Sequence, residues 1–434
     1  MTTFDAARVD ALRDTDLPIG TKGLPLSSAP QSLAAFADAG HTVIGGDLPM
    51  PVAILRRRDL ESNITAMQEF CDATGALLAP HGKTTMAPQV FARQIEIGAW
   101  ALTAATPAHL RLYRDFGVGR IIYANQLVEK NVISWLASEI ASDEGFDFYC
   151  LADSVAAVDL LELELARSAC PRPVNVLIEV GHADGRCGIR DVPAAQDVAA
   201  AIDKAPHLRL VGVECFEGLL PGGGIDTSAV DEFLVAVRAI AGALVETSSL
   251  RSASSILITA GGSLWFDRVL TTFANPGWPV PARIVLRSGC YVTQDGGMYD
   301  RGSPLAGRRN GEALLHNALE VWSTVLSRPE PGLILTSMGR RDCSFDAGLP
   351  VPVKIVRQGS GSESPHRLES LSGATTLKLS DQHAHVAVPT AADISVGDLI
   401  CSTVSHPCTT LDKWKVLAVV DDDYRVVDAV LTFF

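Results

Sequence analysis

From about residue 50 to 290, short continuous apolar runs alternate with longer stretches whose apolar positions recur at helical spacing. The runs are PVAIL (51–55), ALLAP (76–80), AWALTAAT (99–106), RIIYAN (120–125), FDFYCLAD (146–153), VNVLIEV (174–180), LRLVGVEC (208–215), SILITAGG (255–262) and RIVLRSG (283–289). Between them, segments such as LESNITAMQEFCDATG and AAVDLLELELARSA read as amphipathic helices. A strand that is apolar at nearly every position is buried on both faces. Such strands separated by helices make a parallel sheet. Eight or nine of them within this stretch predict an α/β fold, a TIM-like (β/α)8 barrel, with a doubly wound open sheet as the competing architecture.

After about residue 320 the pattern changes. LEVWSTVLSR, GLILTSMG, TTLKLSDQHAHVAV, GDLICSTVS and WKVLAVVDDDYRVVDAVLTFF are short alternating runs broken by Gly, Pro and Asp. They predict a C-terminal antiparallel β domain. The expected division is an N-terminal segment at 1–48 packing on the β domain, a barrel at 49–315 and the β domain at 316–434. The first assignment rests on chain ends often lying close together. RQGSGSESPHR (357–367) is expected to be a mobile surface loop.

Composition narrows the class. Of 434 residues, 47% are hydrophobic and 20% charged, enough for a sizeable core. Lys and Arg number 36 against 50 Asp and Glu, a net charge of −14, which argues against nucleic-acid or anionic-membrane partners. No run reaches the roughly 18 apolar residues of a membrane span. The N-terminal stretch carries acids early, so no signal peptide is expected and a cytoplasmic location is. Nine cysteines without a C-x-x-C fit reduced thiols.

Barrel chemistry sits at the C-terminal ends of strands. Lys83 follows the second run at that position, in LLAPHGKTTMAP. Desolvation there makes a lysine amine nucleophilic; a solvated surface lysine is the ordinary alternative. His81 stands two residues away. TAGGS would offer Gly261, Gly262 and Ser263 to an anion, or form a plain turn. RSGCY puts Tyr291 near the same rim, and Arg186 in GHADGRCGIR points inward or lies on an exposed loop. In SHPC, His406 and Cys408 share one face if the segment is extended. Imidazole and thiolate suit zinc, and two protein ligands make an open, Lewis-acidic site; a buried cysteine beside a satisfied histidine is the alternative. His383 and His385 lie on one face of another predicted strand.

Taken together, PHGKTT (80–85), TAGGS (259–263), RSGCY (287–291), SDQHAHV (380–386) and SHPC (405–408), in this order, resemble the fold-type III pyridoxal-phosphate enzymes of the D-serine dehydratase and D-threonine aldolase group, relatives of alanine racemase. The resemblance implies that Lys83 holds pyridoxal 5'-phosphate as a Schiff base, that Arg186 faces the pyridine nitrogen, and that Gly262 and Ser263 bind the phosphate. It places Tyr291 and Thr106, with His81, around the cofactor. It gives His406 and Cys408 to a divalent metal, zinc or else manganese; His383, by its place on the predicted strand, is expected as a third contact or an outer partner, with Asp381 as another outer partner. It also implies a homodimer acting on a small D-amino acid. Three positions depart from the family's pattern: Phe216 in CFEG, Asp381-Gln382-His383, and Arg341. A cysteine at 408 resembles the dehydratases, so the expected reaction is dehydration and deamination of D-serine or a related D-3-hydroxy amino acid to a 2-oxo acid and ammonia. The alternatives are a D-threonine-type aldolase and, from other classes, a non-catalytic pyridoxal-phosphate-binding protein or an amino-acid racemase.

Overall fold

The computed structural model describes residues 2–26, 29–220, 226–274, 277–278, 280–357 and 367–434. Most of the 357–367 loop, residues 358–366, lies outside them. Eight parallel strands form the first layer: β1 (Leu77–Leu78), β2 (Leu102–Ala104), β3 (Arg120–Gln126), β4 (Asp147–Ala152), β5 (Val174–Val180), β6 (Leu208–Cys215), β7 (Ile256–Ala260) and β8 (Ala282–Leu286). From β2 to β8 each strand pairs with the next in sequence, and β8 returns to β1 with Leu286 opposite Leu78. The ring closes between β1 and β2. There the Trp100 amide donates to the Leu78 carbonyl at 2.7 Å, the Thr103 amide to Pro80 at 2.9 Å, and His81 bridges Thr103. The barrel expectation therefore holds.

Local chemistry supports each βα unit. Helices Pro88–Glu96 and Pro107–Asp115 begin with proline, whose fixed φ suits a first helical position. Ser154 and Asp191 cap their helices by accepting the amides of Ala157 and Ala194. Inside the ring, Ala79, Trp100, Ile122, Leu151, Leu177, Leu257 and Val285 pack together, so the barrel is filled rather than hollow below its mouth.

The first of the nine apolar runs does not enter the barrel. Val52–Arg56 runs antiparallel to Leu319–Trp322 and parallel to Val416–Val420, in the second, mainly antiparallel sheet. It is buried on both faces there too, so its pattern could not say which sheet it joins. Leu319–Glu330 is the central strand, flanked by Leu399–Thr403 and Leu333–Thr336 as well. Leu17, Leu24, Leu33, Phe36 and Val43 share a core with Val52, Trp322 and Tyr424 of this sheet. Val9 instead packs on Ala92 and Phe116 of the barrel. No helix of the described residues is long and apolar enough to cross a membrane.

Candidate active site

A cavity of about 570 Å³ opens at the C-terminal ends of the barrel strands, where the second sheet leans over them. After β1 the chain runs through Pro80 and His81 into one 3-10 turn, Gly82–Thr84, which buries Thr84 and turns Lys83 into the cavity. The loop after β8 presses against this turn. A Cβ at Gly289 would stand 2.8 Å from both His81 Cβ and Thr84 Oγ1, so only glycine permits the approach. His81 also lines the cavity. Burial, and then the Lys83 charge, hold its imidazole well below the usual range, so it is neutral, and its Nδ1 has no protein partner.

The floor is a buried ion pair. Arg287, 4% exposed, pairs with Glu214, and its Nη2 donates to the Cys215 carbonyl at 2.9 Å. Its Nε and Nη1, and Glu214 Oε2, have no protein partner. Burial raises the Glu214 carboxyl to about 7, with Arg287 pulling the other way. A carboxyl in that range shares its site with a cation whose donors are only partly used, which fits a polar group of a bound molecule. Beside them Glu179 accepts from Gln126 at the ends of β5 and β3. Arg186 also reaches the cavity, but from an exposed loop, its guanidinium 4.7 Å from the centre of the Phe216 ring. The aromatic departure at 216 thus gives this arginine a face to lie on.

The glycine turn after β7 behaves differently from its sequence reading. Gly261 has φ +86°, and a Cβ there would stand 2.8 Å from Leu286 Cδ2, so the turn requires glycine. The Gly261 and Gly262 amides, expected to face an anion, donate instead to the buried carboxylate of Glu217 at 3.2 and 2.7 Å. Gly262 and Ser263 still line the cavity, so what remains for a phosphate is the Ser263 side chain rather than those two amides.

Across the mouth, the second sheet brings in His406, Cys408 and Thr409. The segment is not extended: after Pro407 it enters a one-turn helix, Cys408–Leu411, and the turn still aims both side chains at the cavity. His406 Nδ1 is 2.6 Å from Asp346 Oδ2, and its amide donates to Ser344 Oγ at 3.2 Å. That leaves the other ring nitrogen to face Cys408, whose side chain bonds the imidazole; a carboxylate behind the ring is the arrangement that orients a metal-binding imidazole. Cys408 Sγ lies 3.3 Å from Cys290 Sγ and 3.4 Å from Thr84 Oγ1. The bond from Cys290 holds the Cys408 thiol well below its usual range, and the same bond raises Cys290. The bond to Cys408, and then Asp346, lifts His406 to about 9. The two shifts run in the direction that favours a thiolate and an imidazolium in contact, the donor types that suit a soft divalent ion.

Four expected site residues are not brought here. Thr106 caps the helix Pro107–Asp115, accepting the His109 amide at 3.3 Å, and lies outside the cavity lining. Tyr291 is fully buried behind the rim, where its hydroxyl meets Gln94 Nε2 at 2.8 Å; Tyr299 lines the cavity instead. His383 and Asp381 occupy the exposed turn between strands Thr375–Leu379 and Ala384–Ala387, where Asp381 pairs with Arg341 at 3.5 Å. Neither residue lines the cavity. The sequence reading missed Arg287, Glu214, Cys290, Tyr299 and Asp346. RSGCY carried two of these beside the tyrosine, and two charges in otherwise apolar strand ends were a usable signal for Glu214 and Arg287. Asp346 carried none, because its partner is sixty residues away.

Residues 318–420 match the family described as "Putative serine dehydratase domain". D-threonine aldolase from Arthrobacter sp is 23% identical over 375 residues, 86% of this chain and 89% of that protein. Among solved structures, D-threonine aldolase from Filomicrobium marinum superposes with a TM-score of 0.73 at 19% identity, covering 91% of this chain and 96% of that one. D-threo-3-hydroxyaspartate dehydratase from Delftia sp. HT23 gives a TM-score of 0.69 at 20% identity, covering 90% and 99%. With a parallel barrel, an antiparallel sheet and a lysine at the mouth between them, the chain has the fold of these proteins and is similar in sequence to D-threonine aldolase.

Proposed function

We propose that this protein is a pyridoxal-phosphate-dependent lyase that eliminates water from a D-3-hydroxy amino acid, D-serine or a close relative, the enamine so formed taking up water again to give a 2-oxo acid and ammonia. The observation that carries the reading is one cavity lined by both a lysine, Lys83, and the His406–Cys408 pair. Lys83 would hold the cofactor's carbonyl carbon, Ser263 its phosphate, and Arg287 its ring nitrogen in place of Arg186. The two unused Arg287 donors fit that role, and a guanidinium donates without giving up its proton. Bound there, the cofactor supplies an electron sink for the substrate's Cα.

The chain's own groups then divide the work. With the cofactor bound, the Lys83 amine would be placed to accept the substrate's Cα proton. His406 and Cys408 would hold a divalent metal, zinc by the softness of a thiolate, at the substrate's β-hydroxyl, where it supplies a Lewis acid. Asp346 keeps the imidazole oriented. Proton removal at Cα and a good leaving group at Cβ favour loss of hydroxide over cleavage of the Cα–Cβ bond. The aldolase relatives support a second reading, in which a base instead takes the hydroxyl proton and that bond breaks.

One assay separates them. Zinc-loaded enzyme with D-serine, D-threonine and D-threo-3-hydroxyaspartate should give 2-oxo acid and ammonia. Glycine plus an aldehyde as the product would establish the second reading and overturn the first. Borohydride reduction followed by peptide mass analysis should find the cofactor fixed to the peptide bearing Lys83, and nowhere in Lys83→Ala.

A further inference from the structure

We propose that Cys290 is a third protein ligand of the metal held by His406 and Cys408, making the site a two-thiolate, one-imidazole centre. The inference rests on the metal reading above and extends it to a residue from the barrel. Cys290 is buried at 8% exposure, lines the same cavity and opens the turn Cys290–Val292 directly after Gly289. Its Sγ stands 3.3 Å from Cys408 Sγ. Two sulfurs each about 2.3 Å from one zinc ion at a tetrahedral angle stand about 3.8 Å apart. The pair is thus within about 0.5 Å of that spacing, and farther, by more than an ångström, from the ~2.05 Å of a disulfide.

The surroundings agree with a ligand pair. Thr84 Oγ1 lies 3.9 Å from Cys290 Sγ and 3.4 Å from Cys408 Sγ, so one hydroxyl serves both sulfurs as an outer partner. The Cys290, Cys408 and His406 donor atoms do not all lie within 4.8 Å of one another. Metal binding would therefore draw the imidazole inward while the two sulfurs move little. The consequence is chemical. Two thiolates and a neutral imidazole balance a divalent charge and favour a soft ion, so zinc binds well and manganese poorly. A fourth position stays open for water or a substrate hydroxyl. Because Cys290 comes from the barrel and Cys408 from the second sheet, the metal would also tie the two units together across the cavity.

X-ray absorption at the zinc edge of the zinc-loaded wild-type holoenzyme tests this without any substitution. Two sulfur scatterers per zinc are expected; one sulfur overturns the inference and leaves the metal reading intact. A protein that retains no stoichiometric zinc overturns both. As a second measurement, cobalt-substituted Cys290→Ser should lose about half of the thiolate-to-cobalt absorbance and hold its metal at least tenfold more weakly. An unchanged spectrum and unchanged retention would overturn the inference.

Discussion

At the scale of single residues, the site depends on burying charge only where a partner waits. Arg287 and Glu214 are both nearly inaccessible and paired. Removing one partner strands the other, so Arg287→Met should cost about 3 kcal/mol of stability, whereas Arg186→Met, on an exposed loop, should cost almost none. Urea unfolding of the two cofactor-free variants checks the contrast. Glu214 also gives a pH dependence of definite sign. Burial raises its carboxyl from 4.5 to about 7, so between those values the folded chain keeps a proton the unfolded chain has lost. Stability should therefore fall as pH rises through that window. Glu214→Gln, which is neutral throughout, should flatten this part of the profile; an equally steep fall in the variant would show that another group is responsible. Lys83 and the His406–Cys408 pair could be singled out in the sequence because an unusual residue type stood at a strand end or in a tight spacing, and all three line the cavity. Arg287 and Cys290 were hidden beside Tyr291, which drew the functional reading and turned out to be a core residue bonded to Gln94.

At the scale of elements, turns and caps decide which side chains face the mouth. Thr106 sits at a strand end, the place where barrel function concentrates, yet its hydroxyl accepts the His109 amide as a helix cap. Thr106→Ala should therefore lower the unfolding free energy by about 1 kcal/mol and leave the affinity for pyridoxal phosphate unchanged, as a cofactor titration followed by absorbance would show. A threonine before Pro107 already carried the cap signal in the sequence, in competition with the family expectation. The same lesson holds at TAGGS. The glycines were readable as a turn, but not that Glu217, far away in sequence, fills the two amides. The strands themselves were readable because eight continuous apolar runs have one economical arrangement, a closed ring covered by helices. The ninth, Val52–Arg56, went to the other sheet because its pattern is equally suited to either, and only its hydrogen-bonding partners distinguish them.

At the scale of the whole molecule, the N-terminal segment braces the unit that carries His406 and Cys408. Lys22 lies over the Trp414 ring at 3.7 Å and pairs with the buried Asp342 at 2.6 Å, while the Trp414 indole donates to the Asp342 carbonyl at 2.8 Å. Lys22→Met should destabilise the protein by about 1.5 kcal/mol through the charged hydrogen bond left unmade, and thermal unfolding would register it as a lower midpoint. By itself the sequence determined the alternation of strands and helices, the change to short alternating strands after residue 320 and the choice of Lys83, His406 and Cys408 as candidates, all three of which line one cavity. These follow from periodicity and residue type, which are local properties of the chain. Only the tertiary structure decided which sheet takes Val52–Arg56, which arginine is buried with Glu214, and that Cys290 meets Cys408 across the two units. Those outcomes depend on contacts between positions more than a hundred residues apart in two of the three cases, and no local pattern encodes which distant partner a buried group will find.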